Sequence, residues 1–165
     1  MRTTSIVGMA LLVAGLLVDS SASAGIRRMH AAACQSPGGA TTRVNENGAF
    51  SSSGSLSFLC GVDSEPGILN HTNVTTVNVH GFDASTSGNA FANLCITNFD
   101  ADSFSCGSTE AGSFSGTGNY TLTLSTSSEL SAWTDAFNTG DFPYIRAGVN
   151  NTNVRIRGFF IETTD

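Results

Sequence analysis

The chain has 165 residues, a net charge of −6, and only 12% charged against 40% hydrophobic residues. All seven basic residues are arginines, and 22 Ser, 19 Thr, 13 Asn and 18 Gly make up much of the rest. So acidic and lysine-free a composition argues against nucleic acid and anionic membrane surfaces, which need a basic patch to hold them, and the length suits one domain around one core.

Residues 1–24 read as an export signal. Arg2 supplies the positive start, residues 6–18 form an apolar run of 13, and Ala22-Ser23-Ala24 gives the small-x-small pattern of a cleavage site. A membrane-spanning helix needs roughly 17 to 25 apolar residues, so this run is too short to remain as a span. Residues 25–165 are then expected to be a single secreted, extracytoplasmic domain. Cys34, Cys60, Cys95 and Cys106 all fall within it, and an even number of cysteines in oxidising surroundings reads as two disulfides. Spacing alone allows three pairings; Cys34–Cys60 with Cys95–Cys106 is favoured because each closes a local loop. A zinc site on His30 and Cys34 is the rival, but no Cys-x-x-Cys pair exists and His30, His71 and His80 are scattered.

Along the domain the apolar residues alternate with period two, the mark of strands with one buried face. Leu56, Phe58 and Cys60 begin the series. Residues 73–83 (NVTTVNVHGFD) place Val77 and Val79 on one side and Asn78 and His80 on the other. Phe91, Asn93 and Cys95 alternate with Ala92, Leu94 and Ile96, and Tyr120, Leu122 and Leu124 with Thr121, Thr123 and Ser125. One helix is expected over residues 128–137, with Ser128 as its cap and Leu130, Trp133 and Phe137 on one face. Strands over residues 144–149 and 154–161 follow; strict alternation in the last sets Arg155 and Arg157 opposite Val154, Ile156 and Phe160. Asn47-Gly48, Pro66-Gly67, Ser87-Gly88, Cys106-Gly107 and Asn150-Asn151 supply turns between these runs. Many short strands at regular spacing predict an all-β fold, a single antiparallel sandwich of jelly-roll type held by disulfides. A small outer-membrane barrel would need strands of about 9 to 11 residues and aromatic girdles at both rims.

Catalytic motifs are missing. Without lysine there is no Walker A loop and no Ser-x-x-Lys nucleophile, and in Gly112-Ser113-Phe114-Ser115-Gly116 a phenylalanine stands where a nucleophile elbow needs its serine. No motif calls for a cofactor. Asn98, Asp100 and Asp102 have the alternate spacing of a calcium loop, but Ser103 replaces the turn glycine and Thr109 the closing glutamate, so a solvated hairpin tip is the plainer reading. Trp133, Tyr120 and Tyr144 are the rings with a polar handle, able either to stack on a sugar or to fill the core. Phe159 and Phe160 are adjacent on a strand, so one must point away from whatever the other packs against.

Met29-His30 ahead of Cys34, residues 73–83, Cys106-Gly107, Asn119-Tyr120-Thr121-Leu122, Leu130-Ser131-Ala132-Trp133 and Arg157-Gly158-Phe159-Phe160 follow in that order. Together they resemble a group of uncharacterised secreted bacterial proteins of this size. The resemblance covers nearly all of residues 25–165 and implies an exported, four-cysteine, all-β domain; it transfers no functional residue. The expected function is therefore non-catalytic: an extracellular protein that binds a carbohydrate or another surface polymer through Trp133, Tyr120 or Tyr144. The alternatives are a self-associating envelope or matrix component, through a sheet edge or the Phe159/Phe160 region, and a hydrolase with His71 or His80 beside a carboxylate.

Overall fold

The computed structural model describes residues 25–37, 42–62, 73–98, 103–114, 116–134 and 142–164; the expected export signal lies outside them. Twelve strands and one α-helix follow one another. They are β1 (Gly25–His30), β2 (Cys34–Gln35), β3 (Thr42–Asn45), β4 (Gly48–Ser51), β5 (Leu56–Gly61), β6 (Val74–Asp83), β7 (Gly88–Asn98), β8 (Ser103–Cys106), β9 (Glu110–Phe114), β10 (Gly118–Leu124), α1 (Ser127–Thr134), β11 (Phe142–Val149) and β12 (Val154–Thr163).

Two antiparallel sheets pack face to face. The first runs β10-β6-β12-β4-β3, with β1 beside β4 on the same edge of β12; the second runs β2-β5-β11-β7-β8, with β9 beside β8 on the same edge of β7. The consecutive strands β4–β5, β6–β7, β9–β10 and β11–β12 each lie in opposite sheets, at matching places in the two orders. That is the strand order of a jelly roll. Strands β6, β7 and β12 are 10, 11 and 10 residues long, as long as barrel strands, but their inner faces meet across a filled core.

The expected alternation decides what enters that core. Val77, Val79, Leu122, Leu124, Ile156 and Ile161 from the first sheet meet Phe58, Leu94, Ile145 and Val149 from the second, all buried. Burying a side chain of this size contributes about 1.5–3 kcal/mol, so these rows dominate the stability of the fold. The disulfides are Cys34–Cys60 and Cys95–Cys106, as the local-loop argument favours. Each joins directly paired residues and fastens a short edge strand, β2 to β5 and β8 to β7. A strand of two or four residues has too few ladder hydrogen bonds to hold its place alone, and the covalent link supplies what the ladder lacks.

Two expectations are corrected. The helix starts at Ser127, and its cap is Thr126 rather than Ser128: Thr126 Oγ1 accepts from Glu129 N at 3.4 Å, while Glu129 Oε2 accepts from Thr126 N at 2.8 Å. This reciprocal pair is a capping box, spelled by Thr126-Ser127-Ser128-Glu129. Residues 135–137 of the expected helix lie outside the described residues. Strand β12 departs from strict alternation. Its register against β6 shifts between Ile156 and Gly158, so Phe159 faces the core, fully buried, and Phe160 joins Arg155 and Arg157 on the outer side.

Tyr120 is a core residue, 7% exposed, and its hydroxyl donates to the Arg155 carbonyl at 2.9 Å. The ring lies over Gly81, where an added Cβ would strike both the ring and the Arg155 carbonyl. Gly81→Ala is therefore expected to destabilise the protein by about 1–3 kcal/mol, read as a lowered Tm in calorimetry of the oxidised protein. An unchanged Tm would mean that Tyr120 is not packed against β6 in this way.

Candidate functional site

The three candidate rings have separate fates. Trp133 is fully buried and its Nε1 donates to the Cys95 carbonyl at 2.8 Å, so the helix anchors itself on β7 with this side chain. Tyr120 is buried as described; burial first, and the nearby Asp83 charge second, push its hydroxyl well above the usual phenol range. Neither ring has a face to offer a ligand, which corrects the expectation for both. Trp133 and Tyr120 are core.

Tyr144 is different. It stands half-buried on the outer face of the second sheet, on β11 between Gly61 of β5 and Cys95 of β7. Burial raises its hydroxyl above the ordinary value, with Arg146 and Thr97 opposing, so it is a neutral donor and acceptor at physiological pH. One row away, Phe142 is in register with Thr97, and Thr97 with Phe104. Phe142 is 62% and Phe104 65% exposed. With Ile26 these are the exposed large apolar side chains among the described residues. Thus Phe104, Phe142 and Tyr144 surround Thr97 on one face of one sheet.

A groove of about 600 Å³ lies over this face. Leu59, Tyr144 and Thr97 form its floor, from β5, β11 and β7; Gln35 and Ser36 flank it on the β2 side, Ser103 and Phe104 on β8. The two walls are thus the edge strands that the disulfides fasten. Polar groups stand beside rings throughout, and the Ser36 hydroxyl is buried with no hydrogen-bond partner in the protein. A site of this make-up can stack an apolar ring face and direct hydrogen bonds to its rim.

Comparison with protein families, curated proteins and solved structures found no match. The site must therefore be read from its own chemistry. His80 makes a 3.0 Å contact through Nδ1 with Thr121 Oγ1, and its ring lies 4.5 Å from that of Phe160; no carboxylate is among these partners. His71, the other histidine of the hydrolase reading, lies outside the described residues, as do Asp100 and Asp102 of the calcium reading. Asn98 donates to Ser103 Oγ at 3.1 Å across the β7–β8 hairpin. His30 accepts from Ala32 N at 3.0 Å, and Cys34 is in a disulfide, which removes the pair proposed for zinc.

Sequence reasoning passed over Phe104 and Phe142, treating the phenylalanines as core filler. One signal was present: Phe142 and Tyr144 are two residues apart on a strand, hence on one face. Nothing local could place Phe104 beside them, because that depends on the β7–β8 register.

The helix supports the β8 side of the groove. Ser108 N donates to Ser128 O at 2.8 Å, and an added Cβ at Gly107 would strike the Glu129 carbonyl, so the residues after Cys106 lie directly against the first turn of α1. Burial opposes ionisation of Glu129, but hydrogen bonds from the Thr126 and Ser125 backbone outweigh it and hold the carboxyl below the usual range. A depressed folded-state value means a stabilising contribution that is complete above the ordinary carboxylate value and lost as pH falls from there through the folded value. Glu129→Ala should cost about 1 kcal/mol at neutral pH, and the gap from wild type should close on acidification through that window, measured by denaturant unfolding. A gap independent of pH would show that the charge plays no part. Trp133, the sole tryptophan, should emit in the blue and resist iodide quenching. Red, readily quenched emission would place it at the surface instead.

Proposed function

We propose that the protein is a secreted, non-catalytic module that binds a carbohydrate or similar surface polymer in the groove over Tyr144. The observation that carries this reading is the cluster of Phe104, Phe142 and Tyr144 around Thr97, on a sheet whose short edges are covalently fastened. Phe104 is exposed and Tyr144 half-buried on either side of Thr97 in the groove, an apolar surface that a ligand can cover. A pyranose presents an apolar face of C–H groups and a rim of hydroxyls. The rings match the first; the Tyr144 hydroxyl, Thr97, Ser103 and Gln35 match the second. The disulfides fit an oxidising compartment, in keeping with the export signal read at residues 1–24.

Affinity electrophoresis through gels cast with neutral soluble polysaccharides (a β-glucan, a xyloglucan, a galactomannan) tests the proposal. At least one gel should retard the oxidised protein. Tyr144→Ala and Phe104→Ala should each weaken that retardation about tenfold, roughly 1.4 kcal/mol, with Tm little changed in Phe104→Ala because that ring is exposed. Free migration of the wild type in all three gels, or full retention by both variants, would overturn it.

A further inference from the structure

The opposite face of the molecule has another chemistry. Among its outward residues the first sheet carries Arg28 on β1, Arg155 and Arg157 on β12, and His80 on β6, and Arg43 of β3 is in register with outward Phe50. A chain with 13 acidic residues and seven arginines thus sets most of its arginine positions on one sheet. Among the described residues of these strands the outward carboxylate is Glu162, at the far end of β12 and off the arginine rows.

The guanidinium groups are already oriented. Arg28 lies over Phe160 at 5.1 Å, Arg155 over Phe50 at 5.3 Å, and Arg157 over Phe82 at 5.1 Å. Register makes this a pattern: Asn119, Phe82, Arg155, Phe50 and Arg43 form one row across five strands, and Arg28, Phe160, Asn78 and Thr123 another. Strands stand about 4.8 Å apart, so the first row runs roughly 19 Å. A guanidinium resting on a ring keeps its donor edge free in a fixed plane, which suits bidentate capture of a carboxylate. Arg157 is held further, its Nη1 donating to Asn119 Oδ1 at 3.0 Å, which fixes the guanidinium between β12 and β10.

We infer that this face is a second binding site, and that its ligand is a carboxylated polysaccharide such as a polyuronate. The first row crosses five strands, a span that suits a polymer more than a small anion. The phenylalanine rings are covered by the protein's own arginines, so base stacking, on which single-stranded nucleic acid relies, is not open to them. Asn78 on β6 and Thr121 and Thr123 on β10 stand beside the arginines on the same face and give hydroxyl and amide partners for the sugar rings.

The test uses polygalacturonate, with fully methyl-esterified pectin as its uncharged counterpart, and the full oxidised protein. Binding by biolayer interferometry should be seen with polygalacturonate and not with the ester. It should weaken as salt rises from about 0.01 M to about 0.15 M, over which the screening length falls from about 30 Å to about 8 Å. Arg155→Gln/Arg157→Gln should lower affinity at least tenfold. Arg28→Gln, exposed on an edge strand, should lower it several-fold at little folding cost, since only an exposed stacking contact on Phe160 is lost, which guards against a misfolded double variant. Tyr144→Ala should bind polygalacturonate as the wild type does, separating this site from the groove. No binding at low salt, equal binding of the ester, unchanged affinity in both arginine variants, or retention of single-stranded DNA but not polygalacturonate would each overturn the inference.

Discussion

Strand β12 is the hinge of the first sheet, paired along one side with β6 and along the other with both β1 and β4. Its register shifts between Ile156 and Gly158, and this bulge sets what each face of the sheet displays. Ahead of it Val154 and Ile156 point inward; beyond it the parity is reset, so Phe159 and Ile161 fill the core and Phe160 turns outward under Arg28. Without the bulge, strict alternation would turn either Phe159 and Ile161 into solvent or Arg155 and Arg157 into the core. Burying an unpaired guanidinium costs far more than a phenylalanine returns, so the irregularity is what lets one strand serve a dry core and a basic outer row together.

The second sheet solves a different problem. Its outer strands β2 and β8 are two and four residues long, and short edges protect a sheet from edge-to-edge pairing but are weakly held. Cross-strand disulfides hold both, and the same two strands flank the groove around Tyr144. Stability and site shape therefore rest on the same bonds. In a small domain, where one core leaves a narrow margin, this economy has an evident physical value.

Buried polar groups tie the loops to this frame. Asp83, 1% exposed, accepts from Ser85 N and Oγ, both at 2.7 Å, and from Gly88 N at 3.1 Å, and so shapes the crossing from β6 to β7. Asn93 donates to Gly107 O and Thr109 Oγ1, holding the segment on which the helix rests. The two outer faces are then presented by one rigid body but differ in chemistry: exposed rings on one, ring-stacked arginines on the other.

Much of the fold was legible in the residues alone. Alternation from Leu56 to Ile161 identified the long strands and the inward sides of β5, β6 and β10, and local spacing favoured the disulfide pairing found. Period-two patterning reports burial on one face, which is a local property. Strands β1 to β4, β8 and β9 were not legible, because β2, β3, β4, β8 and β9 have five residues or fewer and β1 (GIRRMH) does not alternate apolar with polar residues. Nor was the fate of Trp133, whose burial depends on a helix docking against β7, or the outward turn of Phe160, which depends on one bulge. The sequence determined that the chain is a disulfide-bonded, lysine-free β protein with rings and arginines to place. Tertiary structure alone decided which rings meet around Thr97 and which arginines share a sheet, since strand register, not chain order, makes neighbours of residues 97, 104 and 142.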